Sequence, residues 1–410
     1  MTTVTHERPS ASTPTPGPRR VALAILALAT GGFAIGTTEF VTMGVLPEIA
    51  AGVGVSIPSA GHLVSAYALG VVVGAPVLAY VGARLPRRSL AVALMVAFVV
   101  GNVGSALAAS YGLLMLSRFV AGLPHGAFFG VASLIAAGLV ADSRKGRAVA
   151  MVMLGLSVAN VFGVPAGTWL GQNVGWREVY WLVAVLGLVT VVLTVACVPH
   201  TPGDPHASGR RELTAFARPQ VWLTLVAGAG GFGGMFAVYT YIAETVRTVG
   251  GLGSGAVPLF LLAYGLGMVA GTWVAGELAD WSVLRSLFIG SAGMGVSLLA
   301  FFVLAPGGWW GVPAVFAIAV MASVLAVNLQ LRLMSVAGEA KTLGAAMNHA
   351  SLNIANAAGA WFGGLVITAG LGYRAPALVG VALSVFGLVV LTASAALERH
   401  QTTERARIDE

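Results

Sequence analysis

Long apolar runs separated by short polar segments make up most of the chain. Twelve of these runs are long enough to cross the ~30 Å hydrocarbon core of a bilayer as helices. They are predicted at 21–47, 59–82, 89–109, 111–140, 148–171, 178–198, 220–246, 256–279, 286–305, 310–335, 343–370 and 374–397. The pattern predicts an all-α polytopic membrane protein with twelve transmembrane helices, six in each of two halves.

Polar segments flank and divide these two halves. Residues 1–20 are rich in Pro, Ser and Thr and predict a disordered tail, while 398–410 predicts a second tail. The segment 199–219 contains several prolines and charges and predicts a linker between the halves, 21–198 and 220–397. The first apolar run is too long for the core of a cleaved signal sequence, so it predicts an uncleaved first helix.

The composition excludes a soluble fold. Hydrophobic residues make up 57% of the chain and charged residues 9%, whereas globular proteins average about 25% charged residues. The 55 glycines suit transmembrane helices, which approach closely where side chains are small. The single cysteine, Cys197, excludes an internal disulfide, and we interpret it as an inert packing residue.

The net charge of +7 is distributed in a way that indicates topology. No basic cluster with interleaved aromatic residues is present, so nucleic acid is not a predicted partner. If the N-terminus is cytoplasmic, 18 of the 22 Lys and Arg residues lie on the cytoplasmic side. Only Arg177, Arg247 and Arg374 lie outside, and Arg118 lies within a span. Because positive residues are retained in the cytoplasm, both termini are predicted to be cytoplasmic, in the cell (inner) membrane.

The two halves share a sequence repeat. The segment from Ala66 to Gly74 recurs 197 positions later from Ala263 to Gly271, and Ala159, Asn160, Gly163 and Gly167 recur 196 positions later as Ala355, Asn356, Gly359 and Gly363. Six helices per half is an even number, so both halves enter the membrane from the same side and the repeat is parallel. This architecture predicts a site near the midplane, between two halves that rock against each other.

Four local motifs resemble those of a known family. ARLPRRSL at 83–90 resembles its loop between helices 2 and 3, although Ala83 and Pro86 depart from the usual Asp and Gly. Its second-half counterpart is GELADWSVLR at 276–285. SRFVAGLPHGAFFG at 117–130 resembles the fourth-helix motif, and GLSVANVFGVPAGTWLG at 155–171 the fifth-helix Gly-Pro motif of antiporters. The residues of interest in the two loops and the Gly-Pro motif are Arg84, Arg87, Arg88, Asp280, Arg285, Gly163, Pro165 and Gly167.

Together with GTTEF at 36–40, these motifs resemble the major facilitator superfamily, in its drug:proton antiporter branch, near arabinose-efflux-permease-like and chloramphenicol-exporter-like proteins. The resemblance implies a monomer that exports small neutral or amphiphilic molecules (a drug, sugar or metabolite) by proton antiport. No cofactor besides the proton gradient and no metal is expected. Proton-coupled uptake is the alternative, and an integral membrane enzyme a remote one. No Walker motif supports ATP drive.

Three ionisable residues within the spans are candidates for proton coupling. Glu39 lies about eight residues, or ~12 Å, from the outer end of helix 1, and Arg118 about seven residues, or ~10 Å, from the same surface. A carboxylate at this depth is costly unless it faces a cavity or a partner. Glu39 either binds the coupling proton or only pairs with Arg118 or caps a helix break near Pro47. His125, on the same helical face as Arg118, either relays protons or only hydrogen-bonds a neighbouring helix.

Aromatic and amide side chains are the candidates for substrate contact, with packing or interhelical hydrogen bonding as the alternative. The candidate substrate residues are Met43, Tyr67, Phe128, Phe232, Phe236, Tyr239, Tyr241, Asn328, Gln330, Asn348 and Asn353. The repeat pairs Asn356 with Asn160, which favours a structural role for those two. His62 and His349 lie near span ends and are less favourably placed.

Overall fold

The structure is a computed structural model that describes residues 17–82, 85–141, 144–200, 218–337 and 341–409. Within these ranges the chain is helical, without a strand. The first half contains α1 (Pro18–Gly44), α2 (Ile57–Gly82), α3 (Arg87–Leu107), α4 (Tyr111–Gly138), α5 and α6 (Trp176–Cys197). The helix α5 comprises Lys145–Val158, a π-helical turn at Ala159–Gly163, and Val164–Asn173.

The second half repeats this order. It contains α7 (Pro219–Thr240), the continuous stretch Val257–Leu304, α10 (Gly311–Val336), α11 (Lys341–Val366, continued by a π turn at Ile367–Leu371) and α12 (Ala375–Asp409). The extended backbone at Ser282 (φ −174°, ψ 112°) divides the long stretch into α8, 257–281, and α9, 283–304.

Helix length and apolarity identify ten membrane-spanning stretches in the described residues, of which Ser254–Val336 contains α8, α9 and α10. The predicted twelve helices are confirmed. Helix α1 begins at Pro18 and α12 continues to Asp409, so helix extends into both predicted tails. Residues 201–217 of the predicted linker lie outside the described residues, and the boundaries of the halves stay a prediction.

Glycine contacts show that the two halves pack alike. A Cβ added at Gly70 or Gly74 of α2 would lie 2.2 Å from Phe119 O or 2.0 Å from Leu123 O of α4. In the second half, Cβ atoms at Gly267 and Gly271 of α8 would lie 2.6 Å from Phe316 O and Val320 O of α10. Both contacts follow the 197-residue offset, so the repeat extends to α4 and α10. These glycine pairs are therefore helix-packing positions, as their spacing predicts.

Two arginines at helix N-termini follow the same repeat. Arg177, at the start of α6, donates to Ala108 O at the end of α3 (3.1 Å) and lies over the Trp176 ring (4.1 Å). Arg374, just before α12, donates to Phe302 O near the end of α9 (2.8 Å) and lies over the Phe302 ring (4.3 Å). Each guanidinium satisfies a carbonyl that the helix end leaves without an intrahelical partner.

The first helix of each half breaks at an equivalent position. Val45, after α1, has φ −115° and ψ 20°, and Tyr241, after α7, has φ −110° and ψ 15°. These residues lie 196 positions apart. A short helix, Leu46–Val53, follows the first break, and Ile242–Glu244 follows the second. The ends of α1 and α7 therefore meet at one end of the molecule, which we call the α1/α7 end.

Candidate functional site

The Gly-Pro motif of α5 packs directly against α1 beside Glu39. A Cβ at Gly163 would lie 2.3 Å from Thr37 Oγ1, and one at Gly167 would lie 2.8 Å from Val41. Residues two positions before and after Glu39 therefore face α5. Because two residues turn a helix by about 200°, Glu39 lies on the opposite side of α1. Pro165, which lacks an N–H, follows the π turn that bends α5 at this contact.

Arg118 of α4 is fully buried and is held by the residue next to Glu39. Its Nη1 donates to Thr38 Oγ1 (3.0 Å) and its Nη2 to Thr38 O (3.1 Å). The Thr38 hydroxyl donates in turn to Asn102 Oδ1 of α3 (2.8 Å). The guanidinium carbon also lies 4.5 Å from the Tyr67 ring centroid and 5.3 Å from that of Tyr180, within cation–π range.

Glu39 itself is 7% exposed, and none of the ion pairs between described residues joins it to Arg118. The ion pair that we considered as an alternative role for Glu39 is thus not present in this conformation. Arg118 remains near enough to interact electrostatically with the carboxylate. The Glu39 carboxylate is therefore buried beside the Arg118 guanidinium, whose hydrogen bonds go to the adjacent residue, Thr38. Without an ion pair, such a carboxylate is chemically able to exchange a proton or bind a ligand.

His125 connects Arg118 and its neighbour Tyr67 to the other half of the molecule. Its Nδ1 lies 3.0 Å from the Tyr67 hydroxyl, and its ring centroid lies 6.2 Å from that of His349 on α11. The His349 ring stacks on Phe129 of α4 at 5.6 Å, with the planes 5° apart. Of the two alternatives for His125, the hydrogen bond to a neighbouring helix is present, and the proton relay stays a prediction. His349 is less favourably placed in the sequence because it lies near the end of a span, but in the structure it lies at the interface between the halves.

An aromatic cluster next to Glu39 joins the two halves near the α1/α7 end. Phe40 stacks on Phe236 at 6.2 Å and 17°, and meets Tyr239 edge-on at 5.6 Å. Tyr264 lies 6.3 Å from Phe40 and donates to the sulfur of Met235 (3.2 Å). Phe40 and Phe236 are 196 positions apart, so two repeat-equivalent rings pack on each other between the halves.

Several predicted substrate residues line this region, and others do not. Met43, Phe232 and Phe236 pack in one apolar cluster that includes side chains from both halves. Phe128 lies in the core of the first half, where a Cβ at Gly31 would lie 2.3 Å from its ring, so the structure does not support substrate contact there. Tyr241 donates to Ala360 O of α11 (2.7 Å), which makes it a helix contact in this conformation.

The three asparagines among the predicted substrate residues share one arrangement, in which the NH₂ group donates to a backbone carbonyl. Nδ2 of Asn328 donates to Val324 O (2.9 Å), that of Asn348 to Ala326 O (3.5 Å), and that of Asn353 to His349 O (2.9 Å). Their Oδ1 atoms, like the buried Tyr239 hydroxyl, have no hydrogen-bond partner among the described residues. These groups present mainly acceptors. Gln330 is half-buried on α10.

The loop-motif residues lie at the opposite end. Arg88 donates to Val195 O at the end of α6, and the guanidinium of Arg285 lies 5.1 Å from the Trp281 ring centroid. Asp280 is exposed, Arg87 begins α3, and Arg84 lies outside the described residues. These residues are distant in sequence and in depth from Glu39.

Sequence reasoning missed Thr38, Asn102, Tyr180 and Tyr264, because hydroxyl and amide residues are common in membrane helices. It also missed Phe40, for which the repeat itself contained a usable signal. An offset of 196 aligns Glu39 and Phe40 with Met235 and Phe236, and so predicts that the two phenylalanines lie at equivalent positions.

Two parallel six-helix halves, with a carboxylate and a guanidinium buried in the first of them, are the architecture of a membrane transport protein. The profile described as Major Facilitator Superfamily matches residues 28–348. The chain belongs to the Major Facilitator Superfamily.

Several relatives match nearly the whole length of the chain. The chain is 40% identical to the inner membrane transport protein YdhP of Escherichia coli K12, covering 90% of this chain and 95% of that protein. It is 34% identical to the putative transporter AraJ of the same organism (93% and 97% covered). It is also 34% identical to the chloramphenicol resistance protein of Streptomyces lividans (91% and 98%). The solved structure of a D-xylose-proton symporter shares the fold, with a TM-score of 0.72 and 18% identity over 90% of this chain and 97% of that one.

Proposed function

We propose that the protein exports small neutral or amphiphilic molecules in exchange for protons, by alternating access between its two halves. The observation on which this rests is Glu39, a buried carboxylate without an ion pair, close to Arg118 and next to Phe40, which stacks on Phe236 of the other half. A proton and a substrate that compete for such a site, reached from alternate sides, produce antiport. Efflux is further supported by the name of the chloramphenicol resistance protein of Streptomyces lividans.

The proposed orientation places both termini in the cytoplasm. It is supported by the distribution of Lys and Arg, of which Arg177 and Arg374 stabilise helix ends at the opposite surface. The α1/α7 end is then the outer end, and it is closed by Phe40 and Phe236 in this conformation. Because one chain contains both halves of the site, we propose that a monomer transports.

Glu39→Gln tests the role of the carboxylate. The compound is chosen first, from a susceptibility panel in a bacterium that lacks its main exporters. In proteoliposomes, we expect E39Q to lose accumulation driven by an imposed pH gradient and to keep gradient-independent exchange of labelled substrate. Glutamine preserves the size of the side chain but cannot change charge at the pH of the assay.

Glu277→Gln is the matched control, because Glu277 is an exposed carboxylate on α8. It should accumulate substrate as the wild type does. If E39Q also accumulates substrate under the gradient at the wild-type rate, Glu39 is not the coupling group. Accumulation of substrate in the compartment that protons enter, instead of the one that they leave, would identify proton-coupled uptake.

A further inference from the structure

The repeat-related amides Asn160 and Asn356 are buried without the partners that a structural role requires. Each is 1% exposed. Asn356, on α11, has no hydrogen-bond partner among the described residues for either amide atom. Asn160, on α5, donates from Nδ2 to Leu156 O of its own helix (3.0 Å), and its Oδ1 has no such partner. The structural role that their pairing in the sequence favours would use hydrogen bonds to another helix, and neither side chain makes one to a described residue.

Both amides lie on helix faces that meet the opposite half. A Cβ at Gly265 of α8 would lie 2.5 Å from Asn160 O, and Val164, one turn further along α5, belongs to the apolar cluster that includes side chains of both halves. Asn356 is adjacent to Ala357, whose carbonyl accepts a hydrogen bond from Ser65 of α2 (3.1 Å). His349, two turns before Asn356 on the same face of α11, stacks on Phe129 of the first half at 5.6 Å. The pair thus flanks the interface between the halves from both sides.

Their depth is that of a transport site. Asn160 lies 13 residues before the end of α5 at Asn173, or ~20 Å of helix rise. His125 lies 14 residues from the start of α4 at the same surface, so it is at a similar depth. Asn160 also lies in the π turn Ala159–Gly163, and such turns occur frequently at functional sites. A buried amide left without partners costs free energy, which binding of a polar group recovers.

We propose that Asn160 and Asn356 form a two-sided clamp that binds the hydroxyl groups of a neutral solute at the middle of the membrane. This inference rests on the proposed export function and specifies its substrate class. The Asn160 orientation is fixed, because only its NH₂ can face the Leu156 carbonyl, and its Oδ1 therefore accepts. Asn356 offers both a donor and an acceptor. A hydroxyl group matches both positions, since it donates and accepts.

The amides of the clamp follow the sequence repeat, whereas Glu39, Arg118 and His125 do not. The 196- and 197-residue offsets align Glu39 with Met235, Arg118 with Val315 and His125 with Ala322, so the second half has no ionisable residue at these positions. The amide pair is present in both halves. Solute and proton would then be bound by different residues, and a substitution in the clamp should change affinity without abolishing the coupling to protons.

The test uses the full chain, purified in detergent and in proteoliposomes. Three probes are compared: chloramphenicol and isopropyl thiogalactoside, which are neutral and carry hydroxyl groups, and tetraphenylphosphonium, which has no hydrogen-bond donor. We expect Asn356→Leu and Asn160→Leu each to raise the Kd of a hydroxylated probe about tenfold, as the loss of one hydrogen bond does. Binding of tetraphenylphosphonium should not change. Asn356→Ser, which keeps a hydroxyl group, should recover part of the affinity.

Asn173→Leu is the matched control, since Asn173 is exposed on α5 and its Nδ2 also donates to a backbone carbonyl, Trp169 O. The inference is overturned if the wild type binds neither hydroxylated probe. It is also overturned if monodisperse N160L and N356L bind both with the wild-type Kd, which would mean that water alone satisfies the amides. Probe binding that depends on the amides, without transport driven by a pH gradient, would instead reject proton antiport and keep the clamp.

Discussion

At the scale of single residues, Thr38 determines where the charge of Arg118 lies. Its hydroxyl and carbonyl oxygens each accept a hydrogen bond from the guanidinium, and its hydroxyl donates one to Asn102 Oδ1. Since α1 and α4 meet at this residue, the position of Glu39 next to the positive charge depends on it. The carboxylate is thereby close to a cation without forming an ion pair with it.

Thr38→Val should destabilise the contact between α1, α3 and α4 that Thr38 makes with Arg118 and Asn102. Valine has nearly the same shape but cannot accept from Arg118 Nη1 or donate to Asn102, and both partners are buried. Leaving buried polar groups unpaired costs about 1–3 kcal/mol, so we expect a lower melting temperature of the purified protein by intrinsic fluorescence. Thr272→Val serves as the control, because Thr272 is exposed and bonds only to Met268 O of its own helix. Equal melting temperatures for the two variants would contradict the role of Thr38.

Residues such as Glu39 and Arg118 could be predicted because an ionisable side chain within an apolar run is costly, and therefore conspicuous. Thr38, Asn102 and Tyr180 gave no such signal. Their importance depends on which helices are neighbours, and periodicity within one helix does not contain that information. For the same reason the sequence allowed an ion pair between Glu39 and Arg118, which the packing of α4 on Thr38 replaces.

At the scale of helices, glycine allows the backbone contact that holds α2 against α4. A Cβ at Gly122 would lie 2.1 Å from Tyr67 O, whereas a Cβ at Gly130 on the same helix would meet nothing within 4 Å. Gly122→Ala should therefore push α2 and α4 apart and shift Tyr67 away from Arg118 and His125. We expect a large loss of folded protein, measured by fluorescence-detected size-exclusion chromatography.

Gly130→Ala provides the comparison, since alanine there adds only helix propensity. It should elute as the wild type does. If G122A gives as much folded protein as G130A, α2 and α4 can separate at little cost. The glycine spacing and the repeat predicted this contact. The sequence offered a helix break near Pro47 as one alternative, and the break at Val45 lies two residues before it. The equivalent break at Tyr241 was not predicted, because no proline follows it closely.

At the scale of the whole molecule, the α1/α7 end is closed by contacts between the halves. Phe40 and Phe236 pack between them, and Glu48 of the short helix after α1 pairs with Arg247 of the second half at 3.4 Å. Burial raises the pKa of the Glu48 carboxyl above its usual value, although its own backbone hydrogen bond and the Arg247 guanidinium oppose the shift. In this conformation the carboxyl therefore binds a proton more readily than an exposed carboxyl does.

Opening the α1/α7 end would let water reach Glu48 and lower its pKa. The closed form, which has the higher pKa, binds the proton more tightly, so low pH favours closure and raising the pH through that pKa favours opening. Spin labels at two exposed positions, Ala51→Cys and Ser254→Cys with Cys197→Ser, report the distance between the halves at this end. We expect that distance to increase with pH in the wild type. Glu48→Gln should abolish the response and Glu178→Gln should preserve it, while an unchanged response in E48Q would assign the pH dependence to another group.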